Sequence, residues 1–135
     1  MKNSELVEKA KQAALNAYVP YSGFTVGAAL LAKSGKIFLG CNIENASYTP
    51  TNCAERTAFF KAISEGEREF EKIAIVGGKN GDFSDFCTPC GVCRQVMREF
   101  CDDDFTVILG RNDGEIKTLT LGELLPHSFN SKNLV

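Results

Sequence analysis

Cys87, Cys90 and Cys93 stand at every third position of DFCTPCGVCRQ, residues 85–95. Thiols so spaced suit a redox dithiol, half of a structural zinc clip, or half of a catalytic metal site. Cys90 directly follows Pro89 and opens an expected helix, so Cys90 and Cys93, at i and i+3, share one helical face within reach of one metal ion. Cys53, in TNCAER, opens another expected helix far upstream. A helix N-terminus offers unpaired N–H groups and the positive end of a dipole, which favour a thiolate over a thiol. Cys53 would therefore join the two helix starts as a third ligand. Zinc accepts thiolates tetrahedrally, and three protein ligands with a water in the fourth position make the catalytic version of the site.

Glu55, two residues after Cys53, does not lie beside it on a helix and is not the natural fourth ligand. It stands where a carboxylate can collect and relay the proton of a metal-activated water. Three thiolates leave a Zn²⁺ site one unit negative, and Arg56 can offset this by hydrogen-bonding to a ligand sulfur. His127, the sole histidine, sits in the C-terminal tail and is poorly placed to close the site.

Other chemistries compete for the same residues. Cys90 and Cys93 alone would serve a thiol oxidoreductase cycling through a disulfide. A closed site of Cys53, Cys87, Cys90 and Cys93 would be purely structural, with no water and no task for Glu55. Cys41 in a strand and Cys101 at a helix end read as small core or boundary residues. Cys87 precedes Pro89 and is left in the loop.

Several elements must hold these side chains. Leu6, Ala10, Ala13, Ala14 and Ala17 recur at helical spacing and predict a helix over 4–17, with Ser4 as N-cap and Pro20 beyond its exit. FTVGAALLA (24–32) and residues 36–41 predict a hairpin about a Ser34-Gly35 turn. The polar stretch Asn42–Asn52 reads as a loop, followed by a helix from Cys53 to about Ser64. KIAIVG (72–77) reads as a buried strand, 78–89 as a loop, and a third helix runs from near Cys90 to Phe100. FTVILG (105–110) is a further strand, Asn112-Asp113-Gly114 a turn, and Thr120 with Glu123 a capping box for a short helix halted by Pro126. Helices alternating with strands imply an α/β domain with crossover connections, and the leading hairpin makes the β-sheet mixed. One domain is expected over residues 1–135.

The chain has 135 residues, 44% apolar and 24% charged, which is the composition of an ordinary globular domain. Net charge is −2 and the basic residues are scattered, which argues against a nucleic-acid partner. No apolar run approaches the roughly 20 residues of a membrane span. Met1–Ala14 has no apolar core of a secretory signal, so the cytoplasm is the expected location. In a reducing compartment, six cysteines point to metal or catalysis.

Cys-Ala-Glu followed downstream by Pro-Cys-x-x-Cys resembles the zinc deaminase signature, in the variant with cysteine as first ligand. PYSGFTVGAALL (20–31), GCNIENASY (40–48), NCAERTA (52–58), TPCGVCRQV (88–96) and LGELLPHSF (121–129) are similar, in content and order, to the small homotetrameric zinc-dependent cytidine deaminases. The resemblance implies a three-layer α/β/α sandwich. It implies one Zn²⁺ per subunit on Cys53, Cys90 and Cys93, with Glu55 as catalytic proton shuttle. Phe24 would stack on the pyrimidine, Asn42 and Glu44 would hydrogen-bond the ribose, and the Ala54 backbone would help read the base edge. Tyr48 and Phe129 would reach into or support a neighbouring subunit's pocket, placing active sites at the interfaces of a homotetramer. The implied reaction is hydrolytic deamination of cytidine and 2′-deoxycytidine with release of ammonia, in pyrimidine salvage. A related nucleoside or nucleoside antibiotic is the alternative substrate. An acidic Glu44 beside the sugar fits poorly with a 5′-phosphate, which favours a nucleoside over a nucleotide. No role follows for Cys87 or Cys101.

Overall fold

The computed structural model describes residues 1–135. Its elements are α1 (Asn3–Ala14), β1 (Phe24–Ala32), β2 (Ile37–Cys41), α2 (Ala54–Ser64), β3 (Phe70–Lys79), α3 (Gly91–Phe100), β4 (Thr106–Gly110), β5 (Ile116–Thr120) and α4 (Leu121–Leu124), with a 3₁₀ turn at Ser131–Asn133. The five strands form one sheet in the order β2-β1-β3-β4-β5. β1 is antiparallel to both β2 and β3, β3 and β4 are parallel, and β4 and β5 are antiparallel. The parallel pair is joined by α3, so β3-α3-β4 is the crossover unit.

Strand periodicity builds the layers. Ala28 and Leu30 of β1, Ile73 and Ile75 of β3, and Val107 and Leu109 of β4 point to one face, where they meet Ala58 and Phe59 of α2 and Cys93 and Met97 of α3. The alternate residues Ala29, Leu31, Ala74, Val76 and Ile108 meet Leu6, Val7, Ala10 and Ala14 of α1 on the other face. The inner strands are therefore apolar on both sides, as a sheet covered twice requires. The result is the expected α/β/α sandwich with a mixed sheet. No helix is long and apolar enough to cross a membrane.

Gly40 of β2 decides where the site can stand. A Cβ at that position would run into the backbone of Ala54 and Ala58, so the first turn of α2 lies directly on the strand.

Three local expectations need correction. The first helix ends at Ala14, not residue 17, because Leu15, Asn16 and Ala17 close it with tighter bonds to Gln12, Ala13 and Ala14. The chain must turn there so that Tyr18 can pair with Asn42 and Glu44, at 3.0 and 2.8 Å. Its N-cap is Lys2, without a side-chain bond, and Ser4 lies inside the first turn. The third correction is β5, which the sequence reading passes over. This strand is short, threonine-rich and only half-buried, as edge strands are, and its last residue also caps α4.

Candidate metal centre and active site

Cys53 and Cys90 are themselves the N-caps of α2 and α3, both with extended backbone, and neither side chain accepts from the backbone amides of its helix. Serine, threonine, aspartate or asparagine would normally satisfy those amides. Here a sulfur stands at each positive helix end instead.

Each start is anchored from outside the helix. Before α2, Ile43 and Asn52 exchange backbone hydrogen bonds at 2.9 Å, closing the loop one residue ahead of Cys53. The Asn52 side chain then donates to Thr57 Oγ1 at 3.1 Å, and that hydroxyl donates to the Cys53 carbonyl at 3.2 Å. Before α3, Pro89 is fully buried and its carbonyl accepts from Arg94 Nε at 2.7 Å.

The two starts converge. Cys53 Sγ lies 3.6 Å from Cys90 Sγ, and the sulfurs of Cys53, Cys90 and Cys93 all stand within 4.8 Å of one another. Arg56 Nη2 donates to Cys53 Sγ at 3.3 Å. The hydrogen bond from Cys93 draws the Cys53 thiol down to about 5, and Arg56 and Cys90 reinforce it against burial. Cys93, the proton donor of that contact and buried, is held well above the thiol range. Crowded sulfurs with one cation on them suit a single soft metal ion.

Glu55 occupies the second position of α2 with only 4% of its surface exposed. Burial, with the Cys53 sulfur adding to it, raises its carboxyl to about 7. Its Oε1 atom is buried with no hydrogen-bond partner. An orphaned acceptor of this kind costs about 1–3 kcal/mol, a penalty usually retained only where function needs the group. Three sulfurs and a buried carboxyl with one unpartnered oxygen beside them fit a catalytic zinc site.

Cys87 stands outside the trio. It packs on Gly77 so closely that a Cβ there would meet its sulfur at 2.6 Å, and burial pushes its thiol up to about 11. The sulfurs that stand together are those of Cys53, Cys90 and Cys93 without Cys87, which tells against the closed four-thiolate site. Burial likewise pushes Cys101 up to about 12, and Cys101 packs against the core of the α2/α3 face. His127 lines a different surface cleft, with Arg98 and Asp103.

The remaining expected residues fall in two places. Phe24 begins β1 and is 41% exposed. The Asn42 amide is clamped onto β1, accepting from Val26 N at 2.9 Å and donating to the Phe24 carbonyl at 2.7 Å. Glu44 accepts from Tyr21 N at 2.9 Å, from Ser22 N at 3.1 Å and from the Ser22 hydroxyl. That hydroxyl, ahead of the two amides, holds the Glu44 carboxyl below the usual range. A shallow cavity of about 360 Å³ is lined by Tyr21, Ser22, Glu44, Asn45, Tyr48 and Thr51. Tyr48, at a positive φ of 64°, sets its ring edge-on to Tyr21 at 6.4 Å. Ala54 is the first residue of α2 and fully buried beside Glu55. Phe129 lies apart, its carbonyl held by Gln95 of α3 at 2.9 Å. Ser22 is the residue the sequence reading missed, although a small hydroxyl before Gly23, a left-handed glycine at φ 68°, was its available signal.

Three sulfurs from two helix starts that could hold one metal ion, a buried carboxyl beside them and an α/β/α sandwich together fit a zinc hydrolase of the deaminase class. Residues 1–109 match the family model for the cytidine and deoxycytidylate deaminase zinc-binding region. The chain therefore belongs to the cytidine and deoxycytidylate deaminase family, whose cofactor is zinc. It is 52% identical over 134 residues to the cytidine deaminase of Halalkalibacterium halodurans, covering 99% of this chain and 98% of that one. It is 51% identical over 130 residues to the cytidine deaminase of Sporosarcina psychrophila, covering 96% and 93%. The crystal structure of cytidine deaminase from Burkholderia pseudomallei superposes with a TM-score of 0.88 at 47% identity, covering 96% of this chain and all of that one.

Proposed function

We propose that this protein hydrolyses cytidine and 2′-deoxycytidine to uridine and 2′-deoxyuridine with release of ammonia, residues 1–135 acting as one domain. The observation that carries the reading is the trio of sulfurs within 4.8 Å beside a buried carboxylate oxygen that lacks a partner. Cys53, Cys90 and Cys93 would hold one Zn²⁺, which would supply Lewis acidity to activate the attacking water.

Glu55 does the proton work. A carboxyl at about 7 exchanges protons in both directions near neutral pH. It takes a proton from the attacking water and passes it to N3 of the pyrimidine, making C4 more electrophilic as the water oxygen bonds to C4. It then takes the proton of the new C4 hydroxyl and hands it to the amine, which leaves as ammonia when the C4–N bond breaks. Arg56 offsets the negative charge of three thiolates through its bond to Cys53. The exposed ring of Phe24 offers a stacking surface for the base, and Ala54 N–H, at the start of α2, a donor for the base edge. Asn42 keeps one free N–H beyond its clamp on β1, and the Glu44 carboxylate keeps acceptor capacity beyond its three donors, so both can take ribose hydroxyls. Negative charge on Glu44 favours a nucleoside over a nucleotide.

Tyr48 and Phe129, 73% and 59% exposed, are read as contributions to a neighbouring subunit's pocket in a homotetramer. The compartment is read as the cytoplasm, where six free thiols stay reduced. The test is Glu55→Gln: zinc content should stay at the wild-type level while ammonia release from cytidine falls about 10²–10⁴-fold. Near-normal turnover would sink the assignment. Ammonia released from a nucleoside antibiotic and not from cytidine would move the substrate to the alternative.

A further inference from the structure

Arg94 follows Cys93 directly on α3, and its charge has no part in the chemistry above. Its guanidinium donates from Nε to the Pro89 carbonyl and from Nη1 to the Leu124 carbonyl, both at 2.7 Å. Pro89 is buried and is the residue immediately before Cys90, so its peptide aims that ligand. Leu124 is the last residue of α4. A guanidinium is rigid and planar with donors in fixed directions, so the two carbonyls cannot drift relative to each other while it bridges them. The neighbouring Gln95 ties Phe129 of the same C-terminal segment to α3.

α4 is set by contacts of its own. Thr120 Oγ1 accepts from Glu123 N at 3.2 Å, and the Glu123 carboxylate accepts from Thr120 N at 2.9 Å. Leu121 N donates to the Phe105 carbonyl at 2.9 Å. The helix lies beyond the residues matched by the family model, which end at 109.

We infer that Arg94 is a positioning residue coupling the C-terminal helix to the metal loop, so that the seating of α4 governs how firmly Cys90 retains the metal. This rests on the reading of Cys53, Cys90 and Cys93 as ligands. Disturbing α4, which carries no ligand, then loosens the metal.

The experiment follows release of zinc from the holoenzyme to a chromophoric chelator in wild type, Arg94→Ala, Arg94→Lys, Thr120→Ala and the Arg94→Ala/Thr120→Ala double variant. Arg94→Ala should release zinc about 10–100-fold faster, as loss of support behind a ligand does, with kcat lowered and KM for cytidine little changed. Lysine keeps the charge but offers no fork to bridge two carbonyls, so Arg94→Lys should recover little. Thr120→Ala should speed release by itself and quicken amide exchange over residues 88–93. The double variant should be no faster than Arg94→Ala, because the connection is already cut. Multiplying effects, full recovery with lysine, or unchanged release in Thr120→Ala would each overturn the coupling, and the last needs no variant at Arg94. A wild-type protein that binds no zinc would instead overturn the ligand assignment.

Discussion

Arg56 and Glu44 carry the two single-residue arguments that the site's geometry makes testable. Arg56 is the one cation bonded to the sulfur trio, at 3.3 Å from Cys53 Sγ. Arg56→Ala should weaken zinc binding about 10–100-fold in chelator competition and lower kcat with it. Unchanged zinc affinity and kinetics would remove Arg56 from the site. Glu44 is ionised at assay pH because the Ser22 hydroxyl, then two backbone amides, hold its carboxyl below the ordinary 4.5 of a glutamate. A depressed folded pKa means the tie is fully present above 4.5 and is lost as pH falls through the lower folded value. Titration of Glu44 should therefore add no pH dependence to KM throughout the neutral range. Ser22→Ala removes the largest cause and should bring the acid rise in KM to a higher pH; a rise that stays in place would refute the tie. The clustering of Cys53, Cys90 and Cys93 was legible in the sequence because few residue types bind soft metals and their spacing falls at helix starts, and Glu55 drew notice by its place two residues after Cys53. Ser22 was not, because its partner Glu44 lies on another segment and only folding joins them.

The elements hold the site through close backbone approach, and this is where substitution should separate position from stability. At Gly40, the Cβ of Gly40→Ala would meet the backbone of Ala54 and Ala58, which no rotamer change can relieve. Lifting the α2 start off β2 should cost about 1–3 kcal/mol and displace Cys53 from its partners. Calorimetry and zinc content should fall together. Gly91, by contrast, has nothing within 4 Å of a Cβ and begins α3. Gly91→Ala should leave zinc retention intact and stabilise the helix by up to about 1 kcal/mol. If Gly40→Ala behaved like Gly91→Ala, the packing account of α2 would fail. Periodicity located the starts of α2 and α3 to within a residue, since Pro89 and the cysteines mark them. It failed at the end of α1, where Ala17 keeps the helical pattern but Tyr18 is required to pair with Ile43. It also failed at β5, where Ile116 and Leu119 pack against opposite cores and leave no clean alternation.

At the scale of the whole molecule, the order of helices and strands already implied a mixed sheet between helical layers, because a parallel pair needs a crossover. What lay outside its reach was the surface. Tyr48, Phe60, Val92 and Phe129 are all exposed, apolar and scattered in sequence, and no pattern along the chain marks them as a set. If Phe129 serves a neighbouring pocket, each active site draws Glu55 from one chain and Phe129 from another. Phe129→Ala should then raise KM or split the assembly, as read by kinetics and sedimentation. Complementation is the sharper measurement. Glu55→Gln chains keep Phe129, and Phe129→Ala chains keep Glu55, so co-expressed mixed oligomers regain intact sites that neither variant has alone. Random assembly of equal amounts restores about one site in four, half of the chains supplying each residue independently. Activity no greater than the sum of the separate variants would mean that Phe129 serves its own chain, and the shared-site reading would fall.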